Sequence, residues 1–193
     1  PAGQNSSDFG AATRVYWTFK VLGHDAVTIL DGGQRAWNAA GKAVSTDAVA
    51  PTTVAFNANF RPELLASADD VAKAQANGVA LIDARPVSQF KGESKSGVVA
   101  RNGAIPGAKN ISQSKFYNDQ DGAFVASDAI EQLVGDAGVA SDAKEITYCN
   151  TGHWASVAWF GLSEVMGNKN TAMYDGSLTE WAADPSREMV IPE

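Results

Sequence analysis

The segment 144–155 (KEITYCNTGHWA) contains the single cysteine of this chain, Cys149, between a short β-type run and apolar residues at helical spacing. A strand that turns directly into a helix directs the N–H groups of the turn towards one point, at the positive end of the helix dipole. A cysteine at that point has its thiolate favoured and its pKa lowered. The segment therefore predicts an anion-binding loop around one nucleophilic sulfur, although an inert, buried cysteine is the commoner case for this residue type.

Strands and helices alternate along the chain around this loop. The run 79–83 (VALID) is apolar along almost its whole length, as in strands that are buried on both faces of a parallel sheet. Ser67 and Asp70 have the spacing of a capping box and predict the start of a helix. The expected strands are 54–56, 79–83, 109–111, 146–149 and 171–174. This alternation predicts an α/β fold with a doubly wound parallel sheet flanked by helices.

The sequence contains an internal repeat. A shift by 144 residues places Ala11 on Ala155 and Trp37 on Trp181, and it also aligns the Asp-Gly pairs at 31–32 and 175–176. Residues 1–41 therefore correspond to the C-terminal part of a domain whose complete copy is 54–193, and we interpret 42–53 as a linker. The same shift places Cys149 on Asn5, so the first copy has no sulfur at this position.

The run Ala26–Leu30 is apolar and predicts a buried strand within the first copy. A helix–strand–helix unit cannot cover both faces of such a strand by itself. We therefore expect a separate N-terminal fragment, or another copy of the chain, to complete this unit. The alternative is that residues 1–41 pack directly on the complete copy through Trp17, Phe19 and Trp37.

Composition narrows the class of protein. The chain has 193 residues, 45% of them hydrophobic and 19% charged, which is ordinary for a globular domain. Its net charge of −7 argues against nucleic acid or an anionic membrane surface as a partner. One cysteine permits no internal disulfide, which leaves both cytoplasm and bacterial periplasm open. With two histidines and one cysteine far apart, we expect no metal site, and no motif indicates a cofactor.

Four features in register resemble the rhodanese family, the thiosulfate and 3-mercaptopyruvate sulfurtransferases. They are the runs 83–85 (DAR), 104–108 (AIPGA), 149–155 (CNTGHWA) and 174–176 (YDG) with Trp181. The resemblance implies a rhodanese-like fold, with 54–193 as the catalytic domain and 1–41 as part of an inactive one. It also implies that Cys149 takes sulfane sulfur from a small-molecule donor as a persulfide and passes it to cyanide or a thiol.

The resemblance indicates which residues surround that sulfur. The N–H groups of Asn150, Thr151, Gly152, His153, Trp154 and Ala155 are expected to bind it, with Gly152 permitting the tight turn. The Thr151 hydroxyl either donates to the bound group or bonds locally. His153 either assists the thiolate or has no role. Trp154 covers the pocket or packs against the sheet. Arg85 either binds an anionic donor or forms a structural ion pair with Asp83.

Alternative functions of the same fold differ in this loop. Thiosulfate-specific members usually carry a basic residue after the cysteine, whereas mercaptopyruvate-specific members are neutral there; Asn150 and Thr151 are uncharged. We expect thiosulfate as the donor, with 3-mercaptopyruvate as the alternative. Phosphatases of this fold need an arginine six residues after the cysteine, where this chain has Ala155. Non-catalytic modules of the family typically lack the cysteine, which is present here.

Overall fold

The computed structural model describes residues 5–74 and 76–193. Residues 1–4, the start of the predicted first fragment, and Gln75 lie outside the described residues. The α-helices are α1 Ser6–Val21, α2 Gly33–Ala39, α3 Ala68–Lys73, α4 Val87–Phe90, α5 Ser127–Asp136, α6 His153–Trp159 and α7 Ser177–Trp181. Short 3₁₀ helices span Pro62–Leu64 and Gln113–Phe116, and α6 continues as a π-helix over Phe160–Val165.

Five parallel strands form one sheet. They are β1 Leu65–Ala66, β2 Ala80–Asp83, β3 Lys109–Asn110, β4 Glu145–Tyr148 and β5 Thr171–Tyr174, in the order β1-β5-β4-β2-β3. The register pairs Asp83 with Tyr148 and Thr147 with Met173. The carboxyl ends of β2 and β4 therefore lie side by side, which brings Arg85 and Cys149 to the same edge of the sheet. The predicted parallel α/β sheet is confirmed.

Side chains alternate between the two faces of the sheet. Ile82 and Met173 belong to a cluster that includes residues of α1, α5 and α6. Leu81 and Tyr174 belong to a second cluster with residues of α3 and α7. Since successive side chains of a strand point to opposite faces, the central strands β2 and β5 bury both of their faces between helices. This is the doubly wound arrangement that the alternation of strands and helices predicts.

Helix α1 packs directly on α6 within the described chain. The Thr13 and Ser156 hydroxyls lie 2.8 Å apart, and both residues are fully buried. Trp17 is buried, and its Nε1–H donates to the Leu64 carbonyl at 3.2 Å. Phe19 is half-buried beside Phe56, and their ring centroids are 6.3 Å apart. The expected contact through Trp17 is therefore present.

Two predicted strands, 26–30 and 54–56, are wrong for this structure. Within the described residues neither segment belongs to a strand, and Leu30 and Phe56 are exposed. Isolated strands leave their N–H and C=O groups without partners, so extended segments without a neighbouring strand edge are not sheet. Trp37 is also 40% exposed, and its Nε1–H donates to the nearby Ala43 carbonyl, so it does not anchor residues 1–41 to the complete copy of the repeat.

Among the described residues, no helix combines the length and apolar character needed to cross a bilayer.

A carboxyl group at the amino end of β4 makes stability depend on pH. Glu145 is 1% exposed, and its Oε2 accepts hydrogen bonds from Thr171 Oγ1 at 3.1 Å and from Asn168 Nδ2 at 3.2 Å. Its Oε1 has no hydrogen-bond partner among the described residues. Burial raises the pKa of Glu145 to about 7, against the lowering effect of the bonds from Thr171 and Asn168.

Replacement of Glu145 by glutamine should remove this pH dependence. A carboxyl whose pKa is higher in the folded than in the unfolded protein stabilises the fold at low pH, and that stabilisation is lost as the pH rises from about 4.5 to about 7. Glu145→Gln should therefore raise the free energy of unfolding at pH 8 by up to about 3 kcal/mol and change it little at pH 4. Urea unfolding at both pH values measures this. The exposed Glu131→Gln is the control, and an equal effect at both pH values would contradict the assignment.

Candidate active site

The loop between β4 and α6 surrounds the Cys149 sulfur with backbone amides. Cys149 is 1% exposed, and the N–H groups of Thr151, Gly152, Trp154 and Ala155 hydrogen-bond its thiolate form. Burial is the larger effect, so the pKa of the Cys149 thiol is raised, and the four amides offset part of this rise. The predicted lowering of the pKa is therefore wrong, because the sequence does not show how deeply the sulfur is buried.

The turn itself requires glycine at position 152. Gly152 has a φ of +81°, in the left-handed region that side chains rarely adopt. A Cβ at this position would also lie 3.0 Å from the Asp175 carbonyl oxygen. The predicted role of Gly152 in the tight curl is present in the structure.

The Ser177 hydroxyl ties both ends of the turn to the next strand. Its Oγ accepts hydrogen bonds from Cys149 N and Gly152 N, each at 3.1 Å, and donates to the Tyr174 carbonyl at 2.9 Å. Ser177 is fully buried and has a φ of +50°, the one positive φ of a non-glycine residue in the described chain. This strain is typical of functional positions.

Sequence reasoning missed Ser177, although the internal repeat contains a signal for it. The shift of 144 residues places Gly33 opposite Ser177, and Gly33 has a φ of +59°. Both copies therefore have a left-handed residue directly after the Asp-Gly pair, although the glycine of the pair differs, with a φ of +72° at Gly32 and −59° at Gly176. The copy that contains Cys149 has serine where the other copy has the unstrained residue, and the hydroxyl that this serine adds bonds to the cysteine loop.

Asn150 is held by two other segments. Its side-chain Nδ2 donates to Gln89 Oε1 at 2.9 Å, and its carbonyl accepts from Thr179 N at 3.0 Å and Thr179 Oγ1 at 2.7 Å. The neighbouring Thr151 is exposed. Asn150 is thus fixed by α4 and α7, whereas Thr151, in the same loop between β4 and α6, is exposed to solvent.

His153 and Trp154 bind the first helix. His153 Nε2 lies 2.6 Å from the Ser7 carbonyl oxygen, and Trp154 Nε1 donates to Ser7 Oγ at 3.1 Å. These contacts give His153 a tethering role in the described structure, and they place the Trp154 indole against α1, whereas the sequence suggests a pocket cover or the sheet as its partner.

Arg85 is engaged in a buried ion pair. Arg85 and Asp83 are both fully buried, and the guanidinium Nε and Nη2 reach the Asp83 carboxylate at 2.9 and 2.6 Å. Arg85 Nη2 also donates to the Gly103 carbonyl at 2.8 Å. This is the structural ion pair that the sequence left open, and these contacts direct the guanidinium to Asp83 and Gly103. The anion-binding role of Arg85 stays a prediction.

In the part of the chain that the structure describes, His, Cys, Asp and Glu side chains form no group of three or more that could hold a metal ion.

Comparisons with known proteins agree with this geometry. Residues 67–184 match the family model described as a rhodanese-like domain. A Haloferax volcanii protein provisionally named a thiosulfate sulfurtransferase is 38% identical over 194 residues, covering 93% of this chain and 64% of its own length. A Mycobacterium tuberculosis protein with the same provisional name is 34% identical over 187 residues, covering 94% of this chain and 66% of its own. The chain thus spans about two thirds of these relatives.

Solved structures with the same fold include an anaerobic ergothioneine biosynthesis enzyme from Chlorobium limicola, in complex with its natural substrate trimethyl histidine. It is 28% identical with a TM-score of 0.87, and the match covers 95% of this chain and 46% of that one. A further structure of the ergothioneine enzyme EanB, with a TM-score of 0.87 and 27% identity over 95% of this chain and 46% of its own, contains a cysteine persulfide in a tetrahedral intermediate state.

Removal of the Arg85 guanidinium should destabilise the protein. Arg85→Ala leaves the Asp83 carboxylate buried without its partner, which costs about 3–5 kcal/mol of folding free energy. Urea unfolding measures the loss, with the exposed Lys91→Ala as the control. The double variant Asp83→Leu/Arg85→Met should recover part of it. If Arg85→Ala instead retains its stability and loses the use of an anionic substrate, the anion-binding role is correct.

Proposed function

Because the chain belongs to the rhodanese family, we propose that it is a sulfurtransferase that carries sulfane sulfur on Cys149 as a persulfide. The observation that carries this proposal is a fully buried sulfur in the tight β4–α6 turn, where the N–H groups of Thr151, Gly152, Trp154 and Ala155 lower the pKa of its thiol. Such fixed donors stabilise an anion that forms within a site shielded from water. The amide donors suit the thiolate before transfer and the terminal sulfur of the persulfide after it.

The proposed donor is thiosulfate. The Cys149 thiolate attacks the sulfane sulfur, a bond forms between the two sulfur atoms, and the bond from the sulfane sulfur to the sulfonate sulfur breaks. Sulfite leaves with that electron pair, and the negative charge of the thiolate moves to the terminal sulfur of the persulfide. Cyanide or a thiolate then attacks this terminal sulfur, and the Cys149 thiolate is released. Because the pKa of the thiol is raised, the thiolate forms at higher pH than in an unperturbed cysteine.

The choice of donor rests on the names of the relatives, because the loop itself is neutral at Asn150 and Thr151. We keep 3-mercaptopyruvate as the alternative donor, since a neutral loop suits it. A phosphatase is a poorer match, because Ala155 stands where phosphate-binding loops of this fold have arginine. A non-catalytic module has no use for a cysteine held by four amides.

The EanB structures support the proposal that Cys149 carries a persulfide, and they suggest a role for Thr151. One EanB structure contains a persulfide on a cysteine, and two others have hercynine bound to variants of a threonine two positions after it. Cys149 and Thr151 have the same spacing here, and Thr151 is exposed beside the loop. We propose that the Thr151 hydroxyl donates to the acceptor or donor molecule.

We further propose that residues 5–41 belong to a first, inactive domain whose remaining strands lie upstream in a longer polypeptide. The shift of 144 residues places 27–30 on β5, which has β1 on one side and β4 on the other, whereas 27–30 has no strand partner in the described chain. An apolar groove of about 620 Å³ lies over this segment, lined by Val15, Tyr16, Val27, Ile29, Leu30 and Trp37.

The equivalent surface in the complete copy is covered. Trp181 is 4% exposed where its counterpart Trp37 is 40% exposed, and Tyr174 is 1% exposed where Leu30 is 54% exposed. Apolar surface of this kind is stabilised by burial at about 25 cal/mol per Å². The occupant that fits both the groove and the greater length of the relatives is a stretch that holds the counterparts of β1–β3, since the same shift places β4 on residues 1–4 of this chain.

Replacement of Cys149 by serine should abolish sulfur loading and retain the fold. After incubation with thiosulfate, or with 3-mercaptopyruvate, intact mass spectrometry should show one added sulfur on the wild type and none on Cys149→Ser. Cyanide should remove the added sulfur from the wild type. Circular dichroism provides the folding control. A serine variant that still gains sulfur, or a wild type that gains none from either donor, would contradict the proposal.

Hydrogen exchange should show whether an upstream domain covers the groove. In protein isolated from its native source, the amides of Thr28, Ile29 and Leu30 should exchange as slowly as those of 172–174, their counterparts in β5. The reason is that strand pairing protects amides from exchange. Native mass spectrometry should find a mass above the 20.2 kDa of this chain. Fast exchange in a species of 20.2 kDa would refute the proposal, and a doubled mass would identify a second copy as the occupant.

A further inference from the structure

An ion pair joins the first helix to the strand end beside the cysteine loop. Arg14, in the middle of α1, pairs through Nη1 with Asp175 Oδ1, directly after β5. The Arg14 guanidinium carbon also lies 4.9 Å from the ring centroid of Trp17, a geometry typical of a cation–π contact. Since Trp17 is buried and bonded to the Leu64 carbonyl, Arg14 is held on a rigid support.

This ion pair lies against the turn that contains Gly152. A Cβ on Gly152 would be 2.7 Å from Arg14 Nη1 and 3.0 Å from the Asp175 carbonyl oxygen, so both residues touch the Gly152 backbone. The Gly152 amide bonds to Ser177 Oγ at 3.1 Å and is one of the donors directed at the Cys149 thiolate. A shift of Gly152 would therefore disturb the amides around the sulfur.

Further contacts fix the same helix to the same loop. The Ser7 carbonyl oxygen contacts His153 Nε2, and the Ser7 hydroxyl accepts a hydrogen bond from Trp154 Nε1. The Thr13 and Ser156 hydroxyls lie 2.8 Å apart. Gly10 lies so close to His153 that a Cβ there would be 2.6 Å from Nε2. The loop is therefore held between β5 and α7 on one side and α1 on the other, and α1 comes from the part of the sequence that has no catalytic cysteine of its own.

We propose that Arg14 is a positioning residue for sulfur transfer: with Asp175 it holds the Gly152 turn so that the loop amides point at the Cys149 sulfur. This inference rests on the proposed function, because the sulfur that these amides serve is the one that Cys149 carries. It assigns to the first helix, which has no catalytic cysteine, a part in the reaction of the second unit.

The expected effect is on the chemical step. Without the ion pair the Gly152 turn relaxes, and small misplacements of positioned groups lower rates by roughly tenfold or more. Arg14→Met should therefore lower kcat for sulfur transfer from thiosulfate about tenfold with little change in KM, since the lost alignment matters most in the transition state. Arg14→Lys, which retains the charge, should recover part of the rate.

The control breaks a comparable ion pair at the far end of α1. Arg61 pairs with Asp25 at 2.6 Å, and the Arg61 side chain is 28% exposed, close to the 31% of Arg14. Arg61→Met should leave kcat unchanged. Asp175→Asn should match Arg14→Met, and the double variant Arg14→Met/Asp175→Asn should be no worse than either, because both remove the same contact.

Hydrogen exchange of the Gly152 amide provides a readout that does not depend on activity. It should become faster in Arg14→Met and stay at the wild-type rate in Arg61→Met. Unchanged exchange, or a kcat equal to that of the wild type, would overturn the inference while wild-type sulfur loading still supports the proposed function. A wild type that loads no sulfur would overturn the proposed function, and the exchange of Gly152 would still decide whether Arg14 positions the turn.

Discussion

The site depends on a sharp turn from β4 into α6 that is held by one hydroxyl. Ser177 Oγ accepts from the amides at both ends of the turn, and its own proton bonds to the Tyr174 carbonyl, so the hydroxyl links the loop to the neighbouring strand. Ser177 adopts a left-handed conformation to reach this position, which costs free energy for a non-glycine residue. The remaining loop contacts, from Asn150 to Thr179 and from Gly152 to Asp175, close around this fixed point.

Burial and charge act against each other at this edge of the sheet. Burial raises the pKa of Cys149 and the loop amides oppose it, so the balance depends on how accurately those amides are aligned. Arg85, the one buried lysine or arginine among the described residues, is bound bidentately to Asp83. The backbone dipoles of the loop, which are fixed by the fold, lower the pKa of the Cys149 thiol, and the charge of Arg85 interacts with the same sulfur.

The two copies of the repeat pack similar local elements against different partners. In the complete copy, β5 is paired on both sides and Trp181 is buried. In the other copy, the segment 27–30 has no strand partner within the described residues, and α1 packs on α6 of the complete copy instead. One face of α1 contacts the Cys149 loop and another lines the apolar groove, which makes this helix the structural link between the two copies.

The sequence alone determined the parallel α/β sheet, the loop around Cys149, the need for Gly152 and the family, because periodicity, turn residues and short motifs are local. It also predicted strands at 26–30 and 54–56 that this structure does not contain, since a pattern of apolar residues does not show whether a neighbouring strand is present. Only the tertiary structure decided that Arg85 bonds to Asp83, that His153 and Trp154 bind Ser7, and that Ser177 and Arg14 support the turn. These choices of hydrogen-bond partner, like the direction of the Cys149 pKa, depend on which distant segments pack together and how much water they exclude.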